Sequence, residues 1–491
     1  MSFGTNTSQS NLTSLALALE TTYGNLPAAP IWIPVEPNSY DDFGADTKTK
    51  ARSPIVPDRQ KRKGNVIGVE AAAGFEMDFT QVTPRKILEG VMFANWRNQA
   101  LGVVDSVDGG VLQLSAALDV PANSILFVEG LEDTTGQQTV VQPAASNTAT
   151  AGTGFTDQAA GGQSGIVYIV GADCGAAELT INTANMSGTL VAVGVDFTLF
   201  GIIAGQSIWL GGDAEANKYG TDGSNGWYRV QNISATELKF DRIPDNAATD
   251  DGTGKNIYAY FGDVLRTEPE RENIVCKSYT AERTLSSTAY QYVSGCVFNQ
   301  LEITIPEKDI ITMSTTFVAQ DDSPTDIIKA GTRLAVPTED AFDSATGTTR
   351  MRMINDRTNG SLYTFVQEAS LSIDNGAEST MAVGRIAGFD VSIGDFMLSG
   401  SVKAYFNSID AVQAARSNDA FSLEWAQVMD NKGWFIDAPY LTIGDGRPTV
   451  EKDKPITLPF STEGAKHPEY NHTLIMHYFN YLPTLAHSTQ T

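Results

Sequence analysis

Four histidines, His467, His472, His477 and His487, crowd one short stretch and are the first side chains to test for chemistry, since paired imidazoles hold metals and move protons. A metal pair on a helix sits four residues apart, on one face. Here the spacing is five, which on a strand sends His472 and His477 to opposite faces. They read as surface or packing histidines. Cys174, Cys276 and Cys296 are too few and too scattered for a disulfide framework or a zinc site, and are expected as buried thiols. Gly252-Thr-Gly254-Lys255-Asn256 combines glycines and a lysine as phosphate loops do. It lacks the hydroxyl residue after the lysine and the first glycine at the right distance. Gly161-Gly-Gln-Ser164-Gly165 falls out of register with a nucleophile elbow and reads as a turn. No nucleophile, base and orienting group can be paired. The chain therefore reads as a non-enzyme with no cofactor and no metal.

Charge is the chemistry that does stand out. Lys48, Lys50, Arg52, Arg59, Lys61, Arg62 and Lys63 face only Asp58 across residues 48–63. That segment carries +6 in a chain of net charge −25, so everything else carries −31. An acidic body argues against a partner held through phosphates. Residues 38–64 read as a long polar loop, and loops of this length inside a globular chain are usually functional or disordered. The functional reading is an arm that docks on an acidic surface of another copy.

The elements around these residues are those of a β-rich protein. At 491 residues the length suggests about three domains. With 42% hydrophobic residues the chain is not disordered, and its 44 glycines among Ser, Thr, Asn and Asp mark many turns. No apolar run approaches the roughly 18 residues of a membrane helix. The apolar patch Leu15–Leu19 lacks the basic flank of a signal peptide, so synthesis and assembly are expected in a cytoplasm. Residues 1–26 read as a flexible arm. Four prolines in 27–37 forbid a helix and allow at most an edge strand. A strand is expected over 65–80 and a helix over 83–99, with Thr83 as N-cap, Pro84 in the first turn, and Ile87, Leu88, Val91, Met92, Asn95 and Trp96 on one face.

From 102 to 265 charges thin out. Short β-like runs recur at Val111, Ser124, Ile166, Ser207, Gly226 and Glu237, as in an inserted region of small β-modules. Alternating strands are expected at 273–284, 301–305, 310–319, 361–373, 396–406 and 472–482, with a short helix at 407–416. The domains so drawn are the arm 1–26, a core segment 27–101, the insertion 102–265, a second core segment 266–483 and a tail 484–491.

Several segments together resemble the major tail tube proteins of long-tailed, siphovirus-type bacteriophages. They are the unit of Pro-rich start, basic loop, strand and helix over 27–99; Phe200-Gly-Ile-Ile-Ala-Gly205-Gln-Ser-Ile-Trp209 with Asn225-Gly-Trp-Tyr-Arg-Val-Gln-Asn-Ile-Ser234; Lys277-Ser-Tyr-Thr-Ala-Glu-Arg283 with Gly295-Cys-Val-Phe-Asn299; and Ser372-Ile-Asp-Asn375, Ala382-Val-Gly384 and Leu398-Ser-Gly400 to Phe406. The resemblance implies a mainly β fold, a barrel or sandwich core with one flanking helix plus the inserted β-modules. It implies a structural virion protein whose six copies close into rings. Rings stack head to tail as a conduit for genome delivery, meeting other tail proteins at the tube ends.

By position, the loop then supplies the contact between rings, through Lys48, Lys50, Arg52, Ile55, Val56, Arg59, Lys61, Arg62 and Lys63. An acidic lumen would let DNA pass as cargo without binding it, and Glu302, Glu307, Asp309, Glu368 and Asp374 are the carboxylates expected there. No membrane partner is expected. The insertion must project outward, where Trp209, Trp227 and Tyr228 could stack on glycans, although strand aromatics are more often core. The rival readings are a β-rich adhesin or carbohydrate-binding module of a phage or bacterial surface, and a capsid or decoration protein.

Overall fold

The computed structural model describes residues 12–55, 57, 60–97, 101–108, 111–115, 120–130, 138–142, 148–151, 165–356, 365–406 and 409–487. Seventeen strands form one continuous hydrogen-bonded system and twelve form another, between Leu101 and Tyr260. The first folds over on itself because two long strands, Ala289–Ile305 and Lys432–Asp445, each pass from one layer to the next.

The largest layer is antiparallel. Its strands run, in spatial order, Pro37–Ala51, Gly64–Asp78, Thr312–Ala319, the second half of Ala289–Ile305, Val366–Asp374, Met397–Tyr405, Thr457–Gly464 and the end of Lys432–Asp445. Strict alternation puts Leu301, Ile303, Leu371, Ile373, Leu398, Val402 and Phe460 into the main core. Against them packs a middle sheet of Thr348–Asn355, Phe421–Met429, the first half of Lys432–Asp445, Ile475–Phe479 and Asp263–Arg266. Its Leu423, Trp425, Trp434, Ile436, Met476 and Tyr478 complete that core.

The other face of the middle sheet, including Ala426, Val428, Phe435 and Phe479, meets Trp209, Trp227 and Tyr260 of the twelve-stranded unit. The middle sheet is thus buried on both sides, and Phe421 to Val428 are buried at every position, the polar Ser422, Glu424 and Gln427 included. The twelve-stranded unit has its own core around Leu179, Leu190, Tyr219, Tyr228 and Phe240. The molecule is a layered β-sandwich. Its core closes no barrel among the described residues.

Several expectations are corrected. Ser14–Leu19 is not part of a flexible arm: it pairs with Tyr279–Ser286 on one side and Ile31–Val35 on the other, burying Leu15 and Leu17. Glu20 secures it, accepting from the Gly24 and Gly295 N–H groups and from the Ser278 and Thr280 hydroxyls at 2.6–2.8 Å. Residues 38–64 are not wholly loop: 38–51 belong to the first strand of a β-hairpin, paired from Pro37↔Met77 to Ala51↔Gly64, and the described residues among 52–63 lie between its two strands. The first helix, Pro84–Val91, is half the expected length. The Asn375 amide donates to the Val91 carbonyl at 2.9 Å, and Phe93 turns the chain at φ 46°, so Trp96 packs on the core without being helical and Asn95 is exposed. Cys174 and Cys296 are buried, but Cys276 is exposed. Among the described residues no helix is long and apolar enough to cross a membrane.

Candidate functional site

Three features stand out on this scaffold: an acidic sheet face, a basic arm, and a buried ionic layer.

The solvent face of the largest layer is set by strand register. One row runs straight across all eight strands: Ser39, Glu76, Ser314, Glu302, Ser372, Ser399, Glu463 and Thr442. Flanking positions add Asp78, Glu368 and Asp374, against Lys403 paired with Glu368 at 3.2 Å. The face is therefore paved with hydroxyls and carboxylates. Of the carboxylates singled out in the sequence, Glu302, Glu368 and Asp374 lie on this face; Asp374 also accepts from the Gln300 amide at 2.8 Å. Glu307 and Asp309 do not. They sit in the turn after Ile305, where Glu307 accepts from Gln367 and Asp309 from the Ile310 N–H. Glu76, Asp78 and Glu463 were missed. The alternation Phe75-Glu76-Met77-Asp78 contained the signal for two of them. Both outer strands of this layer, Pro37–Ala51 and the Thr442–Asp445 end, are hydrogen-bonded on one side only among the described residues.

The arm is the distal half of the first hairpin. Residues 71–78 pair with Thr312–Ala319, whereas 64–70 pair only with the opposing strand, so a two-stranded ribbon leaves the sheet. Such ribbons are marginal alone in water. The Val69 N–H ties it to the body, donating to the Ile386 carbonyl at 2.8 Å. Lys48 pairs with Glu70 across the ribbon at 2.6 Å, and that hydrogen bond raises its pKa. Lys50, Arg52, Ile55, Lys61, Arg62 and Lys63 are all exposed. Val56 and Arg59 lie outside the described residues.

The ionic layer lies between the middle sheet and the twelve-stranded unit. Arg229 grips Asp241 at 2.7 Å and reaches Asp437 at 3.2 Å; Arg350 pairs with Glu424 at 2.7 Å. Arg242 joins Asp356, and Arg352 joins Asp245. Burial pushes the Asp437 carboxyl up to about 7, with Arg229 opposing the shift. Burial would also raise Glu424, but Arg350 and Arg352 hold it below the ordinary glutamate range.

The histidines belong to the same region. His477 is fully buried; its Nδ1 donates to the Phe435 carbonyl and its Nε2 accepts from the Ser207 N–H. Burial lowers His467 and His477 to about 4 and His472 to about 3. These imidazoles are neutral packing groups. Trp209, Trp227 and Tyr228 are also buried, which corrects the idea that they could stack on a sugar. The Gly252–Lys255 turn directs the Lys255 ammonium to the Glu215 carbonyl. Ser164 lies outside the described residues.

The described residues thus form a layered β-sandwich with an acidic, hydroxyl-rich face, an exposed arm and buried histidines. Residues 221–464 match the family described as phage tail tube protein. The chain carries that family's domain and is a structural tail tube protein, not an enzyme. The match begins inside the twelve-stranded unit, at its last strands, and runs through most of the large layer. Among curated proteins, none matches the chain.

Proposed function

We propose that six copies of this chain join edge to edge into a ring, that rings stack head to tail as the tail tube, and that the acidic face lines the lumen through which the genome leaves. The observation that carries this reading is the eight-stranded face, acidic and hydroxyl-rich, ending in two half-paired strands. Exposed edges invite further pairing, and a ring removes them. The two edges differ in sequence, so the contact is heterologous and closes only by rotation. DNA carries about one negative charge per 1.7 Å of axis, so a carboxylate lining repels it and keeps it moving. In this arrangement the twelve-stranded unit, on the opposite side of the core, faces outward as an insertion over about 102–265. The segments 27–101 and 266–483 make up the tube wall.

The same reading makes the protein a virion component of a long, siphovirus-type tail, assembled in the host cytoplasm and meeting other tail proteins at the tube ends. Electron microscopy of the purified chain tests it. Six-fold rings and stacked tubes with the Glu302 face inward are expected. Discrete monomers or trimers at every concentration, or a lumen lined by Lys and Arg, would overturn it.

A further inference from the structure

The root of the arm encloses a cleft that the acidic face does not use. The first hairpin strand carries a bulge between Asp41 and Gly44, with Asp42 at φ 39° and Gly44 at φ 145°. A side chain at Gly44 would strike the Gln291 amide, 2.8 Å from its Cβ position. The bulge turns the arm out of the sheet and opens a cleft of about 980 Å³ against the strand Asp321–Thr325 and the small hairpin Glu378–Thr380/Asp390–Ser392.

Five carboxylates line this cleft: Asp42, Asp46, Glu70, Asp322 and Glu378. Among the ion pairs of the described residues, only Glu70 has a cation, Lys48. Arg283 is close by, but it lies over the Tyr40 and Phe43 rings and donates to Gln291. The rim is apolar: Met381 lines the cleft at 47% exposure, and Val383 and Ile386 beyond it are 108% and 54% exposed.

The same chain carries the complement. The arm tip presents Lys50, Arg52, Lys61 and Lys63 around Ile55, which is 105% exposed. It cannot enter its own cleft. Pairing runs from Asp46↔Glu70 to Ala51↔Gly64 with one register shift at Lys48/Thr49, holding the tip roughly 15–20 Å beyond the root at about 3.3 Å per residue.

We infer that the cleft at the arm root receives the arm tip of a second copy, with Ile55 against the Met381 rim and the tip cations among the carboxylates. The inference rests on the head-to-tail stacking proposed above and names its receptor. Tip-into-root contact is heterologous and does not close on itself, so it propagates along an axis. Repeated around a ring, individually weak contacts act together.

A cross-linking experiment on the full chain decides it. In a Cys276→Ser background, Ile55→Cys and Glu378→Cys together should give a ladder of covalent multimers on oxidation once tubes have formed; either cysteine alone should not. Independently, Asp322→Lys with Glu378→Lys should raise the critical concentration for tube growth about tenfold or more, and adding Lys61→Glu with Lys63→Glu should recover most of that loss. Tubes without a ladder, with the reversed cleft growing normally, would overturn the cleft assignment and leave the stacked tube standing. A wild-type chain that forms neither rings nor tubes would overturn the tube reading, and this inference with it.

Discussion

Arg229 of the twelve-stranded unit reaches Asp437 of the middle sheet at 3.2 Å, across an interface where both residues are almost fully buried. Its other nitrogens hold Asp241 on its own unit, so one guanidinium joins both sides. One Asp437 oxygen, Oδ1, has no hydrogen-bond partner among the described residues. Breaking a buried pair from the cationic side leaves carboxylates without compensation, at a cost of about 3–5 kcal/mol. Arg229→Met should lose that much in denaturant unfolding. Asp437→Asn should lose clearly less, because burial already favours the protonated acid and the amide keeps its shape. Equal losses would show that the Asp437 charge is essential.

The aromatic half of this interface is tested separately. Trp227 lies 4.5 Å from Phe435 and 5.2 Å from Phe479, ring centre to ring centre. Trp227→Ala should cost about 3–5 kcal/mol and open a cavity. Limited proteolysis should then cut first between the twelve-stranded unit and the core. A variant that keeps wild-type stability would show that this contact does not hold the two together.

Acid should weaken the protein through its histidines. Burial holds His467, His472 and His477 near 4, 3 and 4, below the ordinary 6.5, so the unfolded chain takes up their protons first. Their contribution is full above about pH 6.5 and is lost as pH falls towards 3–4. Among the described residues His472 has no hydrogen-bond partner for either ring nitrogen, and it stacks on Tyr470. His472→Phe should therefore flatten the acid limb of stability against pH and change little at pH 8. An unchanged acid limb in that variant would exclude His472 as a contributor.

Charge on the arm should govern growth rather than folding. Replacing Arg59, Lys61, Arg62 and Lys63 by Glu should leave thermal unfolding of the unassembled protein within a degree or two and block tube growth, as scored by sedimentation and microscopy. Tubes of normal length would rule out the electrostatic part of the contact. Higher salt should weaken wild-type growth in the same direction.

The acidic face should keep DNA from sticking. Glu76→Lys, Glu302→Lys and Glu463→Lys together place three cations in one row across the sheet. Tubes of this variant should retain DNA in a filter or shift assay at low salt, whereas wild-type tubes should not. Equal retention would separate the acidity of this face from passage of DNA.

Alternation made the large layer legible: Leu301, Ile303 and Ile305 point inward, and the strands at 312–319, 366–374 and 397–405 fall within a few residues of expectation. The middle sheet was not legible, because Trp425, Ala426, Val428, Trp434, Phe435 and Ile436 are buried on alternate sides of one sheet and give no period of two. The arm read as a loop because a ribbon exposed on both faces needs no apolar alternation. The first helix read too long because Asn95 and Trp96 keep helical spacing after the Asn375 side chain has taken the terminal carbonyl. The acidic row emerged only with register, which joins Ser39 to Thr442 through seven strand pairings no local window contains.

The pairing of Ser14–Leu19 with Tyr279–Ser286, and of Gly64–Asp78 with Thr312–Ala319, also sets a schedule for synthesis. The unit between Leu101 and Tyr260 has its own core and can mature while the ribosome is still working. The early strands must wait for partners more than two hundred residues downstream, and the middle sheet stays incomplete until Ile475–Phe479 has emerged. A nascent chain thus cannot present a finished acidic face. In the assembly proposed above, the ring edges and the acidic face are therefore completed only by strands made late in the chain.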